Sequence, residues 1–389
     1  MRGYRYPRRH GDRYRLLVDG GSFFPDMENS IVGAKSYVLL EMYLFESGQV
    51  ADRFILHLLA AAARGVRICL LLDAYGALAL RRSDRQRLLT GGVELIFYNP
   101  LGLKRWTRNL LRNHRKLLLV DGEVAYTGGA GITDAFDPEV APLHYWHDSM
   151  LEIRGSSVGD WRHLFTQTWN RWAEKPLGPW PDFIAAETSG NGTGRLTVQG
   201  RRVGGSEIMR SYIKHVRRAN SRIWLATPYF LPPWKLRSAL RRQARRGRDV
   251  RLLLPGPHTD HPAIRDLGRR FFQRMMHNGV RIFEYQPRFL HTKMLLCDNW
   301  VSTGSSNADG WNYRWNLEAN QDASDAGPWP QVEGMFLEDF AQSREISPQD
   351  WGRRGWSGRL REWFWGRVAA WLVRFSDRDG NGRNSDGTI

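Results

Sequence analysis

Two short segments of the chain carry the same residue types at the same spacing: His114-Arg115-Lys116, four apolar residues and Asp121, then His291-Thr292-Lys293, four apolar residues and Asp298. Two such sets are what exchange at a phosphodiester requires: a nucleophile, an acid for the leaving oxygen, and positive donors for the non-bridging oxygens as charge develops. One imidazole would attack phosphorus to give a phosphohistidine while the other protonates the departing alcohol, and the roles would reverse for the acceptor. Lys116 and Lys293 would hold the phosphoryl oxygens. The backbone amides of the Gly128-Gly129 and Gly304-Ser305 turns and the side-chain amide of Asn307 are further candidate phosphate donors. A metal site is the weaker alternative, because the neighbour two positions from each His is a Lys, which repels cations, and no ligand-type spacing surrounds it. The expectation is a site with no metal and no cofactor. A single His near a Lys is usually an ordinary pair, but a second copy of the whole set, again followed by a Gly-containing turn, argues against coincidence.

On a strand, side chains two apart project from the same face, so each His and its Lys point toward one surface. The Asp, seven positions after the His, faces the other way, which places Asp121 and Asp298 to support sheet and loop rather than to touch substrate. Each His also needs an acid to fix its tautomer and stabilise its cationic form. Asp148, in WHDSML, and Glu318, in NLEAN, occupy matching places, and the expected pairs are His114 with Asp148 and His291 with Glu318.

The elements that must carry these residues repeat as well. Tyr37 to Phe45, ADRFILHLLAAAARGV and RICLLLD return as IWLATPYFL, WKLRSALRRQARRG and DVRLLLPG, and each series then passes through a Gly-ended helix and a strand into its His-x-Lys segment. Strands alternating with helices predict an α/β fold in two similar halves, with sheets covered on both faces. The first half is expected over 1–184 and the second over 198–345, joined by a linker at 185–197 where Gly, Ser, Thr and Asn cluster. Residues 346–375, rich in Trp and Arg, read as a basic aromatic amphipathic tail that either lies in a membrane interface or packs on the protein body. Residues 376–389 are polar, with the composition of disorder.

The 57 Lys and Arg outnumber the 40 Asp and Glu, a net charge of +17 that favours an anionic partner, either an acidic membrane surface or nucleic acid. No window reaches the roughly 18 apolar residues needed to span a bilayer, and the basic N-terminus is not followed by the apolar stretch of a signal peptide. Membrane contact is therefore expected to be peripheral. Cys69 and Cys297 lie in apolar, strand-like runs and read as buried, reduced thiols.

The paired HxKx4D segments, with NHRKLLLVDGEVAYTGGAGI in one half and HTKMLLCDNWVSTGSSNADGWNYRWNLEANQ in the other, resemble the phospholipase D superfamily over roughly residues 15 to 345. Within it the chain is most similar to bacterial cardiolipin synthases, of the short type without N-terminal transmembrane helices. The resemblance implies two α/β/α sandwich halves with mixed sheets, related by a pseudo-two-fold and sharing one active site at their interface. It also implies transfer of a phosphatidyl group from one phospholipid to phosphatidylglycerol or another alcohol, through a phosphohistidine, by a peripheral enzyme at the cytoplasmic side of the cell membrane. By the same analogy His114 is the nucleophile and His291 the acid. Two departures stand out: the family's Gly-(Ser/Gly)-x-Asn turn reads Gly128-Gly129-Ala130-Gly131 in the first half, and the second half has one residue fewer between Asp298 and Gly304. The loop PLGLKRWTRNLLRN before His114 interleaves Lys104, Arg105, Arg108 and Arg112 with apolar residues, as suits a lipid headgroup with acyl chains or a solvated covering loop. A hydrolase or nuclease of the same superfamily, and a basic membrane or nucleic-acid binding protein with a weak site, are the competing functions; the intact residue sets and the synthase-like NLEAN stretch favour lipid transfer.

Overall fold

A computed structural model of the chain describes residues 4–102, 108–178, 190–200, 206–309 and 315–352. The first half supplies β1 (Arg9–Val18), β2 (Tyr37–Met42), β3 (Arg67–Asp73), β4 (Glu94–Tyr98), β5 (Arg112–Asn113), β6 (Lys116–Val120), β7 (Val124–Gly128) and β8 (Ser149–Arg154). The second half supplies β9 (Gly192–Gln199), β10 (Arg222–Ala226), β11 (Asp249–Pro255), β12 (Arg281–Tyr285), β13 (Met294–Cys297), β14 (Trp300–Gly304), β15 (Asn316–Asp325) and β16 (Ser343–Glu345). Strands such as YVLLEM, KLLLV and MLLC are buried at every position, as expected of strands with covered faces rather than one wet side.

All but β5 lie on one path through a single mixed sheet, ordered β16-β12-β11-β10-β13-β14-β15-β9-β1-β8-β7-β6-β2-β3-β4. Apart from the extra edge strand β16, the order reads outward from the β9–β1 pair as the same series in both directions, which is the two-fold relation of the halves written in hydrogen bonds. β1 and β9 pair antiparallel with an irregularity between His10 and Asp12. The covering layers also cross the centre: the helix Ser157–Trp172 of the first half packs on β9, and the helix Trp329–Ala341 of the second packs on β1. One core cluster accordingly mixes Trp161, Phe165 and Trp169 with Leu196, Val198 and Ala319.

This arrangement corrects the expected linker. Residues 192–199 form β9, paired with β15 from Gly192 to Gln199, so the proposed linker at 185–197 ends deep inside the sheet. The glycines that read as loop serve close approach instead: a Cβ on Gly194 would collide with the Tyr14 hydroxyl and lie 2.6 Å from the Gln321 side chain. Of the expected tail, the helix Pro348–Gly352 brings Trp351 into the second-half core against Phe272, with ring centroids 5.2 Å apart. The rest of the tail and the polar end, from residue 353 on, lie outside the described residues. Both cysteines are buried and free.

Candidate active site

In each half the parallel strands end, and the His-x-Lys strand begins, at the same edge of the sheet: Met42 pairs with Lys116 and Ala226 with Met294. The histidines sit just before these strands. Alternation still sorts the side chains, since Arg115 turns away from Lys116 and is buried near Glu41, 3.6 Å off, and Thr168. Asp121 and Asp298 occupy the turns after the strands at φ 53° and 52°. Their carboxylates accept the backbone N–H groups of Lys35, Ser36 and Tyr37 and of Asn220, Ser221 and Arg222, fastening each turn to the start of the neighbouring antiparallel strand, β2 or β10. Neither touches the histidines.

The acid partners are exchanged between the halves. His114 Nδ1 lies 3.1 Å from Glu318 Oε1, and His291 Nδ1 lies 2.6 Å from Asp148 Oδ2, so the expected pairs His114–Asp148 and His291–Glu318 are both wrong. The reason is sheet geometry. Within one half β7 separates β6 from β8, which puts an acid about 10 Å from its own histidine strand at two strand spacings. Across the pseudo-two-fold the segments meet directly: β5 pairs with β15, His114 N donates to Leu317 O at 3.0 Å, and His291 N donates to His147 O at 2.8 Å.

The turn glycines provide room rather than amides. The amides of Gly129 and Ser305 donate to Ser149 O (3.3 Å) and Ala319 O (3.1 Å), which corrects their assignment as phosphate donors. A Cβ on Gly128 would strike Ser149 O, one on Gly129 the Asp148 carboxylate, and one on Gly304 Ala319 O. The Ser305 hydroxyl donates to Glu318 and its carbonyl oxygen lies 3.2 Å from His114 Nδ1. Asn307 is buried, and the atom left unpaired among the described residues is its Oδ1, an acceptor, so nothing in the geometry marks it as a phosphate donor. A Cβ on Gly131, where the first half lacks the Asn, would come within 2.7 Å of Leu44 Cβ and Leu44 O, so the backbone there has closed over the missing side chain.

Burial dominates the electrostatics. It pushes His291 down to about 3, helped by the positive charge of Lys293 and opposed by Asp148, and it lowers His114 despite Glu318. Burial likewise lowers Lys116 to about 7 and Lys293 to about 8. Burial alone would raise the two acids, but Lys293 and His291 beside Asp148, and His114 beside Glu318, hold both carboxyls below their usual range. The free site therefore holds neutral imidazoles against ionised carboxylates, with Nδ1 of each ring turned to its acid.

Several residues of the site carry no motif in the sequence. The Tyr43 ring lies against His114, centroids 4.7 Å apart and tilted by 58°, and underlies Lys116 Nζ at 5.1 Å. Phe136, Trp146 and Phe289 surround His291 with centroid distances of 5.6, 5.1 and 5.6 Å. His147, next to Asp148, is clamped between Asp19 (2.8 Å) and Asp339 (3.0 Å). Its only sequence signal was adjacency to the acid. Of the loop before His114, residues 103–107 lie outside the described set, and Arg112 is not at a lipid-facing rim: it is 6% exposed and paired with Asp73.

The family profile described as "Cardiolipin synthase, PLD-like domain" matches residues 27–137 and 212–340, spanning both His-x-Lys segments. The chain belongs to this family. It is 32% identical over 353 residues to a cardiolipin synthase A of Pseudomonas aeruginosa (strain LESB58), covering 90% of this chain and 71% of the relative. A probable cardiolipin synthase, YwiE, of Bacillus subtilis (strain 168) is 28% identical over 354 residues, covering 90% and 70%. Among solved structures, a phosphatidylserine synthase from Haemophilus influenzae superposes with a TM-score of 0.67 at 13% identity, over 92% of this chain and 94% of that one. The expected phospholipase D-type fold is thereby met at the level of the whole chain.

Proposed function

We propose that this family member is a cardiolipin synthase that transfers a phosphatidyl group to phosphatidylglycerol through a phosphohistidine on His114. The observation that carries the mechanism is the reciprocal pairing of each Nδ1 with the carboxylate of the other half, which leaves two Nε2 atoms facing one site. His114 Nε2 forms the P–N bond as the P–O bond to the departing glycerol breaks, and His291 gives that oxygen its proton once the bound anion has raised the imidazole's proton affinity. The acceptor hydroxyl then yields its proton to His291, its oxygen attacks phosphorus, and the P–N bond breaks. Lys293 favours this division of labour. Both lysines donate to the carbonyl oxygen of their own histidine, at 2.7 Å for Lys116 and 2.5 Å for Lys293, but only Lys293 Nζ, among the described residues, also reaches the ring, 3.1 Å from His291 Nε2, which opposes nucleophilic use of that nitrogen. Both lysines would neutralise the non-bridging oxygens, and water exclusion would decide transfer over hydrolysis.

Peripheral contact with an anionic membrane, at its cytoplasmic face, fits this reading. No helix among the described residues is long and apolar enough to cross a membrane. Among the described residues, six of the ten exposed large apolar side chains, Tyr75, Leu78, Leu101, Leu110, Leu143 and Trp234, stand on the segments between strands at the sheet edge that carries the histidines. Such a rim lets the mouth of the site enter the lipid interface. Incubation with phosphatidylglycerol vesicles in the presence of chelator should yield cardiolipin and glycerol. Cleavage of single-stranded DNA with unchanged lipid would overturn the lipid assignment, and abolition of product by chelator would overturn the metal-free route.

A further inference from the structure

On the flank of the second half, behind the Trp234 rim, Arg237, Arg241, Arg270 and Arg274 surround a cavity of about 260 Å³ floored by Phe271 and Met275. Arg237 and Arg241 lie one and two turns into the helix Trp234–Arg245, with Trp234 at its first residue. The guanidinium carbons of Arg237 and Arg270 stand 4.1 and 4.6 Å from the centre of the Phe271 ring. Phe271 packs in turn on Phe230, in the segment that leads from β10 toward the site. Elsewhere in this protein arginines are commonly neutralised, as Arg265 and Arg269 are by Glu284 only one helix away. Among the described residues no carboxylate pairs with any of the four, and the Arg237 Nε is buried without a hydrogen-bond partner. Burial, and after it the charges of neighbouring arginines, lower the proton affinity of Arg237 and Arg241.

Like charges held together around an apolar floor are destabilising unless an anion joins them, and guanidinium forks match phosphate oxygens. We propose that this cavity is an accessory site for the phosphodiester headgroup of an anionic phospholipid, outside the catalytic centre, that anchors the second half while the rim enters the bilayer. The proposal rests on the reading of the protein as a lipid enzyme. The apolar floor and the neighbouring rim favour lipid over nucleic acid, and the chain beyond residue 352 is itself basic, which makes it a poor occupant on charge grounds.

The test is an Arg241→Gln/Arg274→Gln variant of the full chain, whose positions are solvent-facing enough to spare the core. At about 1 kcal/mol per arginine near an anionic surface, or roughly fivefold each, cosedimentation with vesicles of phosphatidylglycerol in phosphatidylcholine should weaken about 25-fold. Partitioning to pure phosphatidylcholine vesicles and turnover of dissolved short-chain phosphatidylglycerol should stay at wild-type levels. Undiminished binding to the phosphatidylglycerol vesicles would overturn the proposal, as would an equal loss on both vesicle types. Loss of single-stranded DNA binding with vesicle binding intact would reassign the cavity to nucleic acid. If the wild type makes nothing from the dissolved lipid but the variant still loses anionic vesicles selectively, the transferase reading fails and the headgroup site stands.

Discussion

The two histidines share a motif and differ in nearly everything around it. Among the described residues His114 has one aromatic neighbour, Tyr43, a lysine that reaches its carbonyl oxygen but not its ring, and Glu318 held by the Ser305 hydroxyl. His291 is enclosed by Phe136, Trp146 and Phe289, lies under the ammonium of Lys293, and takes its acid from a segment clamped by His147. Both rings are buried, and it is the one beside the Lys293 ammonium whose pKa falls to about 3. The difference teaches that a repeated motif can sit in two unlike surroundings, which fits the proposed division into a nucleophile in one half and a proton carrier in the other.

Replacing the rings should separate these tasks most sharply. His114→Ala is expected to lower turnover at least about 10⁴-fold on every phosphodiester, whereas His291→Ala should do so on lipid but recover substantially on a nitrophenyl phosphodiester, whose leaving group needs no proton. Equal recovery of both variants would erase the proposed division. Next in size are the acids: Asp148→Asn and Glu318→Gln should each cost roughly 10³- to 10⁴-fold in kcat, as for an acid that orients a catalytic imidazole. Because the pairs are crossed, Asp148→Asn should share the leaving-group sensitivity of His291→Ala, and Glu318→Gln should not. The opposite assignment would restore same-half pairing.

His147 tests whether the second ring's setting depends on its clamp. Burial opposes its cation, but Asp19 and Asp339 outweigh burial and hold its pKa up at about 10. A pKa raised above the unfolded value near 6.5 stabilises the fold fully below that pH and progressively less as pH climbs toward 10. His147→Gln should therefore cost about 3 kcal/mol at pH 6 by leaving two carboxylates without their cation, and measurably less at pH 9.5 by denaturant titration. A pH-independent difference would remove the charge from the explanation. The smallest effect concerns the lysines. With Lys116 near 7 and Lys293 near 8, both lose charge as pH rises through this range, so affinity for a soluble phosphodiester of fixed charge should weaken about tenfold between pH 6 and pH 9. Constant affinity would place the anion away from both ammonium groups.

The motif, its spacing and the α/β repeat were legible because strand periodicity and turn chemistry are local. So were Asp148 and Glu318 as the two acids, but not their partners, because which histidine an acid meets depends on how one half lies on the other. β9 escaped for a related reason: Gly192 and Gly194 look like punctuation, and their role in admitting the Tyr14 side chain exists only after β1 and β9 have come together. Gly129 and Ser305 were singled out for amides that the sheet already uses. The aromatic wall of His291 draws on Phe136, Trp146 and Phe289, which no spacing rule connects.

A duplicated chain ordinarily carries a spare, so that damage in one copy is covered by the other. The exchange of acids across β1 and β9 removes that insurance, since an injury to either half disables a histidine in the opposite one. The same arrangement suggests how such a chain could arise. A single-motif ancestor that lent its acid to an identical partner would have needed two molecules for every site, and joining the copies end to end would have made the encounter permanent, after which each copy was free to specialise.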